Sequence, residues 1–256
     1  MSFVERLNFE ERKPKTYEEV CELWKERSIK NEPFSGQFLI RLVSELNQIE
    51  GIDVSYHRTS ELFTNETIQN YSGDVRALYS VLNNKNLAAF LNSKIEESAP
   101  LDQPLIKEAH RIIMFGSMDN HRYHERGERA GEYKRHHYCV GKYDVGADPE
   151  QVEELMGELC DICSKSWKDP LKCATVFHCY FEHIHPFADG NGRIGRWLTN
   201  YLLVLNGHPP VVFPSCDRSE YFNALESFDA TEDFNTMYSW LKRQVTQSYS
   251  SWKEKV

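Results

Sequence analysis

The run His185-Pro-Phe-Ala-Asp-Gly-Asn-Gly-Arg-Ile-Gly-Arg-Trp-Leu-Thr-Asn200 gathers a candidate base, a carboxylate, a flexible turn and two arginines in sixteen residues. Gly190, Asn191 and Gly192 let the backbone turn where other residues resist, and they lead into a strongly helical segment, Arg193 to Asn206. Loop N–H groups and the helix N-terminus then converge on one spot. That spot suits phosphate, because free amide donors and the positive end of the helix dipole both favour negative charge. Arg193 and Arg196 lie one turn apart, with Asn200 a further turn along, which places all three on one predicted helix face.

Working outward, 256 residues with 40% hydrophobic and 12% aromatic content suffice for a sizeable core, as one large or two small domains. A formal charge of -9 argues against a general nucleic-acid or anionic-membrane surface, though a local cationic pocket remains compatible with it. The segment from Met1 to Lys30 is dense in charge and lacks an apolar leader core, and no later run reaches spanning length. A cytoplasmic protein is the expectation. Seven cysteines, an odd number, read as reduced thiols. Cys160 and Cys163 form a lone Cys-x-x-Cys on an apolar helical stripe and read as core rather than zinc ligands.

The pattern is helical nearly throughout, giving an all-α fold class with one short β-hairpin. Phe38, Leu39, Leu42, Val43, Leu46 and Ile49 recur at helical spacing, and Gly51 is a natural stop. Glu50 therefore sits at a helix C-terminus, where the dipole disfavours it, so it either has a partner elsewhere or points to solvent. Further helices are predicted from Val75 to Leu91, with a break at Asn83-Asn84-Lys85-Asn86, and from Leu101 to Phe115. Ser117 to Arg135 reads as a long exposed loop. His136 to Val145, with β-prone residues around Gly141-Lys142, reads as a hairpin: either a flap that aligns another chain by strand addition or an ordinary surface hairpin. Asp148 and Pro149 start a helix containing Val152, Leu155, Met156 and Leu159, and Pro170 opens a helix from Leu171 to Ile184 that is apolar nearly all round. This buried helix delivers His185 to the centre. Arg218 to Ser227 and Phe234 to Tyr249 close the chain as two more helices.

The run from His185 to Arg196 resembles the signature of Fic-domain proteins, His-x-Phe-x-Asp/Glu-Gly-Asn-Gly-Arg-x-x-Arg, at every defining position. Looser likeness extends over Leu101 to Gln247, in Gly131 to Arg135, in Val140 to Tyr143 and in Tyr221 to Leu225. Upstream, Gln48-Ile49-Glu50-Gly51 is similar to the end of an inhibitory helix that some Fic proteins carry, normally Ser/Thr-x-x-x-Glu followed by Gly or Asn. Leu46 stands where that pattern has a hydroxyl residue, which predicts a less firmly docked helix. The resemblance implies an N-terminal helical region over 1-100 with an inhibitory helix near 38-51, a catalytic core over 101-247 and a tail over 248-256.

It further implies transfer of AMP from ATP to a Ser, Thr or Tyr hydroxyl of a target protein, with self-modification and a homodimer as options, and no nucleic acid or membrane partner. His185 can take the proton of the attacking hydroxyl, since imidazole titrates near neutrality. Asp189 offers a hard oxygen to Mg2+, which takes most of its remaining ligands from phosphates and water. N–H groups of Gly190, Asn191 and Gly192 meet the α-phosphate, while Arg193 and Arg196 neutralise the leaving phosphates. Phe187 reads as a packing anchor. Val140, Gly141, Lys142 and Tyr143 are flap residues beside the nucleotide, and Tyr221 and Phe222 either contact the nucleoside or belong to the core. Glu50 is the candidate inhibitory residue, through a pair with Arg196. The same pocket also fits hydrolytic removal of AMP from a protein, with Glu50 activating water, or a module that only senses nucleotide.

Overall fold

The computed structural model describes residues 16–26, 33–65, 73–140, 143–144 and 146–250. Among them are ten α-helices: α1 (Tyr17–Glu26), α2 (Gly36–Ile49), α3 (Tyr56–Asn65), α4 (Val75–Glu96), α5 (Gln103–Ile113), α6 (Val152–Ser164), α7 (Pro170–Ile184), α8 (Asn191–Leu205), α9 (Arg218–Thr231) and α10 (Asn235–Ser250). A π-helical turn covers His121–Glu125 and a 3-10 turn covers Ser215–Asp217. Two strands of two residues each, β1 (Cys139–Val140) and β2 (Tyr143–Asp144), pair antiparallel with Val140 opposite Tyr143. A ladder this short has little stability of its own. Gly141 and Lys142 lie outside the described residues.

The centre of the molecule is the antiparallel pair α7 and α8. Asp169 caps α7, its side chain accepting from the Lys172 N–H at 3.1 Å, and Pro170 occupies the first turn, where a missing N–H costs nothing. From there Leu171, Phe177 and Phe181 of α7 pack among Ile194, Trp197, Leu198 and Tyr201 of α8, all of them buried. Helices α4, α5, α6, α9 and α10 contact this pair or one another around it. No helix among the described residues is long and apolar enough to cross a membrane.

Helix α2 carries its apolar stripe Leu42, Val43, Leu46 and Ile49 into the same core. Leu46 is thus a packing residue, and polar contacts to the 3-10 turn dock the helix: the Ser215 N–H donates to Glu45 Oε2 (2.7 Å), the Ser215 hydroxyl to Gln48 Oε1 (2.8 Å), and Arg218 Nε to the Ile49 carbonyl (3.0 Å). The chain turns off α2 at Gly51, whose φ of +71° and N–H bond to the Gln48 carbonyl end the helix as the sequence predicts.

Three expectations are corrected. The asparagine-rich stretch 83–86 does not break its helix; α4 runs through it. Asn83 donates to the Ile113 and Phe115 carbonyls (3.0 and 2.7 Å), and Asn84 both donates to the Ser80 carbonyl (2.7 Å) and accepts from Trp197 Nε1 (2.6 Å), so buried tertiary partners outweigh weak helix propensity. The residues after Asp148 form a turn, and α6 starts only at Val152, because the Gln151 N–H closes onto the Asp148 carbonyl. The 117–135 segment is not simply exposed: Glu128 and Lys134 are buried, and Glu128 accepts from the Arg135 N–H and the Tyr138 hydroxyl and bonds the His136 ring. Replacing Asn84 with Ala should leave Trp197 Nε1–H unpaired in the core and lower stability by about 1 to 3 kcal/mol. The denaturant midpoint of the purified variant measures this.

Candidate active site

His185 ends α7 in a left-handed conformation, φ 50° and ψ 61°, with its N–H still bonded to the Phe181 carbonyl at 3.0 Å. A side chain rarely adopts this backbone, and it is held here by its surroundings. The Ala147 N–H donates to the Ile184 carbonyl (2.9 Å) and the Lys134 N–H to the Pro186 carbonyl (2.9 Å). Gly146 lies so close that a Cβ there would fall 2.5 Å from His185 Cβ and 2.8 Å from Lys134 Nζ. Burial first, then the Lys134 charge, push the His185 pKa down to about 4. The ring is therefore neutral at pH 7 and has a lone pair to accept a proton.

The loop after it is closed by its own side chains. Asn191 Oδ1 accepts from the Phe187 N–H (2.9 Å) while Asn191 Nδ2 donates to the Phe187 carbonyl (2.7 Å), so the asparagine side chain works as a latch. His110, on α5, stacks flat on Phe187 with ring centroids 3.7 Å apart. Its Nδ1 accepts from the Gly131 N–H (2.8 Å), which leaves Nε2–H to donate to the Asp189 carbonyl (2.9 Å). Burial pushes the His110 pKa down to about 3, consistent with this neutral tautomer. The Asp189 carboxylate accepts from the Gly190 N–H (2.8 Å) and pairs with Arg122 at 3.2 Å. Arg122 also lines a cleft of 580 Å³, together with residues that include His121, Arg126 and Tyr138.

The two motif arginines flank the loop from opposite ends. Arg193 lies by Gly190, against Met114 Sδ and 3.8 Å from the Asp189 carboxylate; Arg196 lies by Gly192. Asn200 does not join them: it grips the Val211 main chain, donating to its carbonyl (3.0 Å) and accepting from its N–H (2.6 Å). Arg196 is 1% exposed. Its NH2 donates to Glu50 Oε1, its NH1 approaches the Tyr221 hydroxyl at 3.4 Å, and its cation stands 5.7 Å from that ring. The Tyr221 hydroxyl in turn bonds His178 Nε2 (3.0 Å), and His178 Nδ1 bonds Thr199 (2.9 Å), whose hydroxyl donates to the Gly195 carbonyl. Tyr221 is thus a buried support for Arg196, whereas Phe222 next to it is 37% exposed. Val140 and Tyr143 sit on the two short strands.

Glu50 therefore has a partner, while 32% of its side chain stays exposed. Burial alone would raise its pKa, but the charge and hydrogen bond of Arg196 outweigh this and hold it below its ordinary value of 4.5. A Cβ on Gly192 would fall 2.9 Å from Glu50 Oε1, so the carboxylate rests directly on the loop. Sequence reasoning brought together His185, Asp189, Arg193, Arg196 and Glu50; it missed His110, Arg122, Lys134 and Gly146. His110 carried a signal, a polar residue on the apolar stripe of Leu105, Ile106, Ala109 and Ile113, while the others are neighbours of the site only through the fold.

A mostly helical domain thus carries a histidine, a carboxylate and two arginines on one helix–loop–helix. Residues 100–203 match the model of the Fic/DOC family. The chain is 29% identical over 174 residues to a protein adenylyltransferase Fic of Drosophila willistoni, covering 62% of this chain and 33% of the relative. It is 34% identical over 127 residues to a protein adenylyltransferase fic-1 of Caenorhabditis briggsae, covering 47% and 25%. The matches thus span a third or less of those relatives. Its fold is shared with a Fic-domain-containing signaling protein from Bacteroides thetaiotaomicron (TM-score 0.75, 23% identity, 91% of this chain and 94% of that one) and with residues 134–508 of Fic-1 from C. elegans (0.76, 22%, 92% and 70%).

A carboxyl whose pKa is lowered on folding stabilises the fold above its unfolded pKa, and the contribution disappears as pH falls through the folded value. Glu50→Gln should therefore be less stable than wild type by about 1 to 3 kcal/mol at pH 7. The gap should close as pH drops below 4.5. Denaturant midpoints of both proteins across this range test the sign.

Proposed function

We propose that the chain is a protein adenylyltransferase, moving AMP from ATP to a hydroxyl of a target protein, and that Glu50 holds it shut. The observation that carries this reading is the Glu50–Arg196 pair, an anion seated on a buried arginine beside the loop N–H groups. The vacated position is suited to a phosphate, which accepts the same donors. In this reading Arg193 and Arg196 neutralise the β- and γ-phosphates, and N–H groups of the 190–192 loop stabilise charge on the α-phosphate. His185 accepts the proton of the incoming hydroxyl, which attacks the α-phosphorus as pyrophosphate leaves. Because its ring is neutral, no prior deprotonation is needed.

Asp189 is the ligand for Mg2+. One carboxylate suits this ion, which takes its remaining oxygens from phosphates and water, although Asp189 must first give up Arg122. Mg2+ supplies charge neutralisation at the phosphates. Among the described residues no cluster of three acidic, histidine or cysteine side chains offers another site. The segment 139–144 serves in this reading as a flap whose edge pairs with an extended target segment, and Val140, Gly141, Lys142 and Tyr143 are its candidate nucleotide-binding residues. Residues 101–247 are the catalytic core and residues 1–100 the regulatory region. The target presents Ser, Thr or Tyr, and the protein's own chain is one candidate.

His185→Ala should abolish label transfer from ATP while nucleotide binding persists, because the ring acts on the hydroxyl rather than on the phosphates. Glu50→Gly should raise self-labelling by about tenfold or more, the weight of one lost charge-assisted bond. Mass spectrometry of the products reads adduct mass and site together. Equal labelling of wild type and Glu50→Gly would remove the lock, and unchanged transfer in His185→Ala would remove the base.

A further inference from the structure

Glu182 sits on α7 three residues before His185, outside the run that identified the site. Its carboxyl fills a gap in the facing helix: a Cβ on Gly195 would fall 2.5 Å from Glu182 Oε1. A glycine inside a helix costs stability, and here its missing side chain makes room for an acid. Glu182 Oε1 is buried with no hydrogen-bond partner, and so is Nε of Arg196, the residue next to Gly195. An unpaired acidic acceptor and an unpaired cationic donor thus stand on facing helices, a combination that native interiors rarely leave unused.

We propose that Glu182 is the reserve counter-ion of Arg196, the group that keeps the guanidinium in place when Glu50 withdraws, and so a positioning residue for phosphate binding. The inference rests on the lock described above. A buried guanidinium stripped of its only anion is strongly destabilising, and a lock relying on Glu50 alone would resist opening for that reason. The Tyr221–His178–Thr199 chain steadies NH1 but brings no charge, since burial, reinforced by the Arg196 charge, pushes the His178 pKa down to about 3. Charged groups facing Glu182 are Arg196 from α8, Glu50 from the end of α2 and Asp229 from α9. Burial pushes its carboxyl up to about 7; Arg196 opposes this, and Glu50 and Asp229 add to it. With Glu50 seated, Glu182 therefore sits close to its titration point at neutral pH. Departure of Glu50 removes one raising influence, the proton leaves to solvent, and the carboxylate takes over the cation.

Two readouts test this. Without nucleotide, Glu50→Gly and Glu182→Gln should together lower the midpoint of thermal unfolding by more than the sum of the single losses, because only the double variant leaves Arg196 without an anion. This coupling should vanish in Arg196→Ala. With Glu50→Gly as background, Glu182→Gln should weaken binding of β,γ-imido-ATP by about tenfold and leave it unchanged once Arg196 is Ala. In the Glu50→Gly background, Glu182→Asp guards against a variant that does not fold: it keeps the charge and should be tolerated better than the isosteric Gln. Additive thermal losses, a Glu182→Gln penalty that persists without Arg196, or better tolerance of Gln than of Asp would each overturn the counter-ion role. A failure of nucleotide binding in every variant would overturn the proposed function, while the thermal coupling would still decide the counter-ion.

Discussion

A guanidinium sealed in the interior needs an anion, and the arrangement of this molecule around Arg196 follows from that requirement. The residue is 1% exposed and yet charged: burial opposes the charge, but Glu50, Tyr221 and Glu182 together outweigh it and raise its pKa. Glu50 meets the requirement only if the end of α2 reaches the start of α8. That contact explains why the N-terminal helices pack onto the domain, and why a hydrophobic stripe and the polar contacts from Ser215 and Arg218 cooperate to hold one helix end. A phosphate meets the same requirement with the same donors. In the proposed reading, inhibition and nucleotide binding compete for one cation, with no conformational relay between distant sites.

The loop that presents the cradle is rigid for a different reason. Its turn is built on a left-handed Gly190 and is closed by Asn191, whose side-chain amide satisfies both polar groups of Phe187. His110 stacks beneath and fixes the Asp189 carbonyl as a neutral donor. Buried histidines stay neutral when desolvation outweighs their hydrogen bonds, and His110, His178 and His185 all follow that rule. Two of them are scaffolding. His185 alone of the three lies at a helix end.

Much of this was legible along the chain because it depends on residues close in sequence. Helical periodicity marked most of the elements, and the spacing of His185, Asp189, Arg193 and Arg196 marked the site, since a helix–loop–helix places such residues by local geometry alone. Glu50 was conspicuous as an acid at the wrong end of a helix dipole. Asn83 and Asn84 were misread as a break because their helical conformation is secured by partners at Ile113, Phe115 and Trp197, none of which is local. Asn200 was placed with the arginines by helical phase, but the Val211 main chain holds it elsewhere.

The sequence by itself determined the helical class and the grouping of His185, Asp189, Arg193 and Arg196 on one helix–loop–helix. Only the tertiary structure decided that Glu50 meets Arg196, that Tyr221 supports the cation from within the core, and that Glu182 and Gly195 fit one another. The reason is physical. Local geometry follows from backbone sterics and the helical repeat, which act over a few residues, whereas the pairing of a buried charge depends on which side chains the packing brings within hydrogen-bond distance across long stretches of chain.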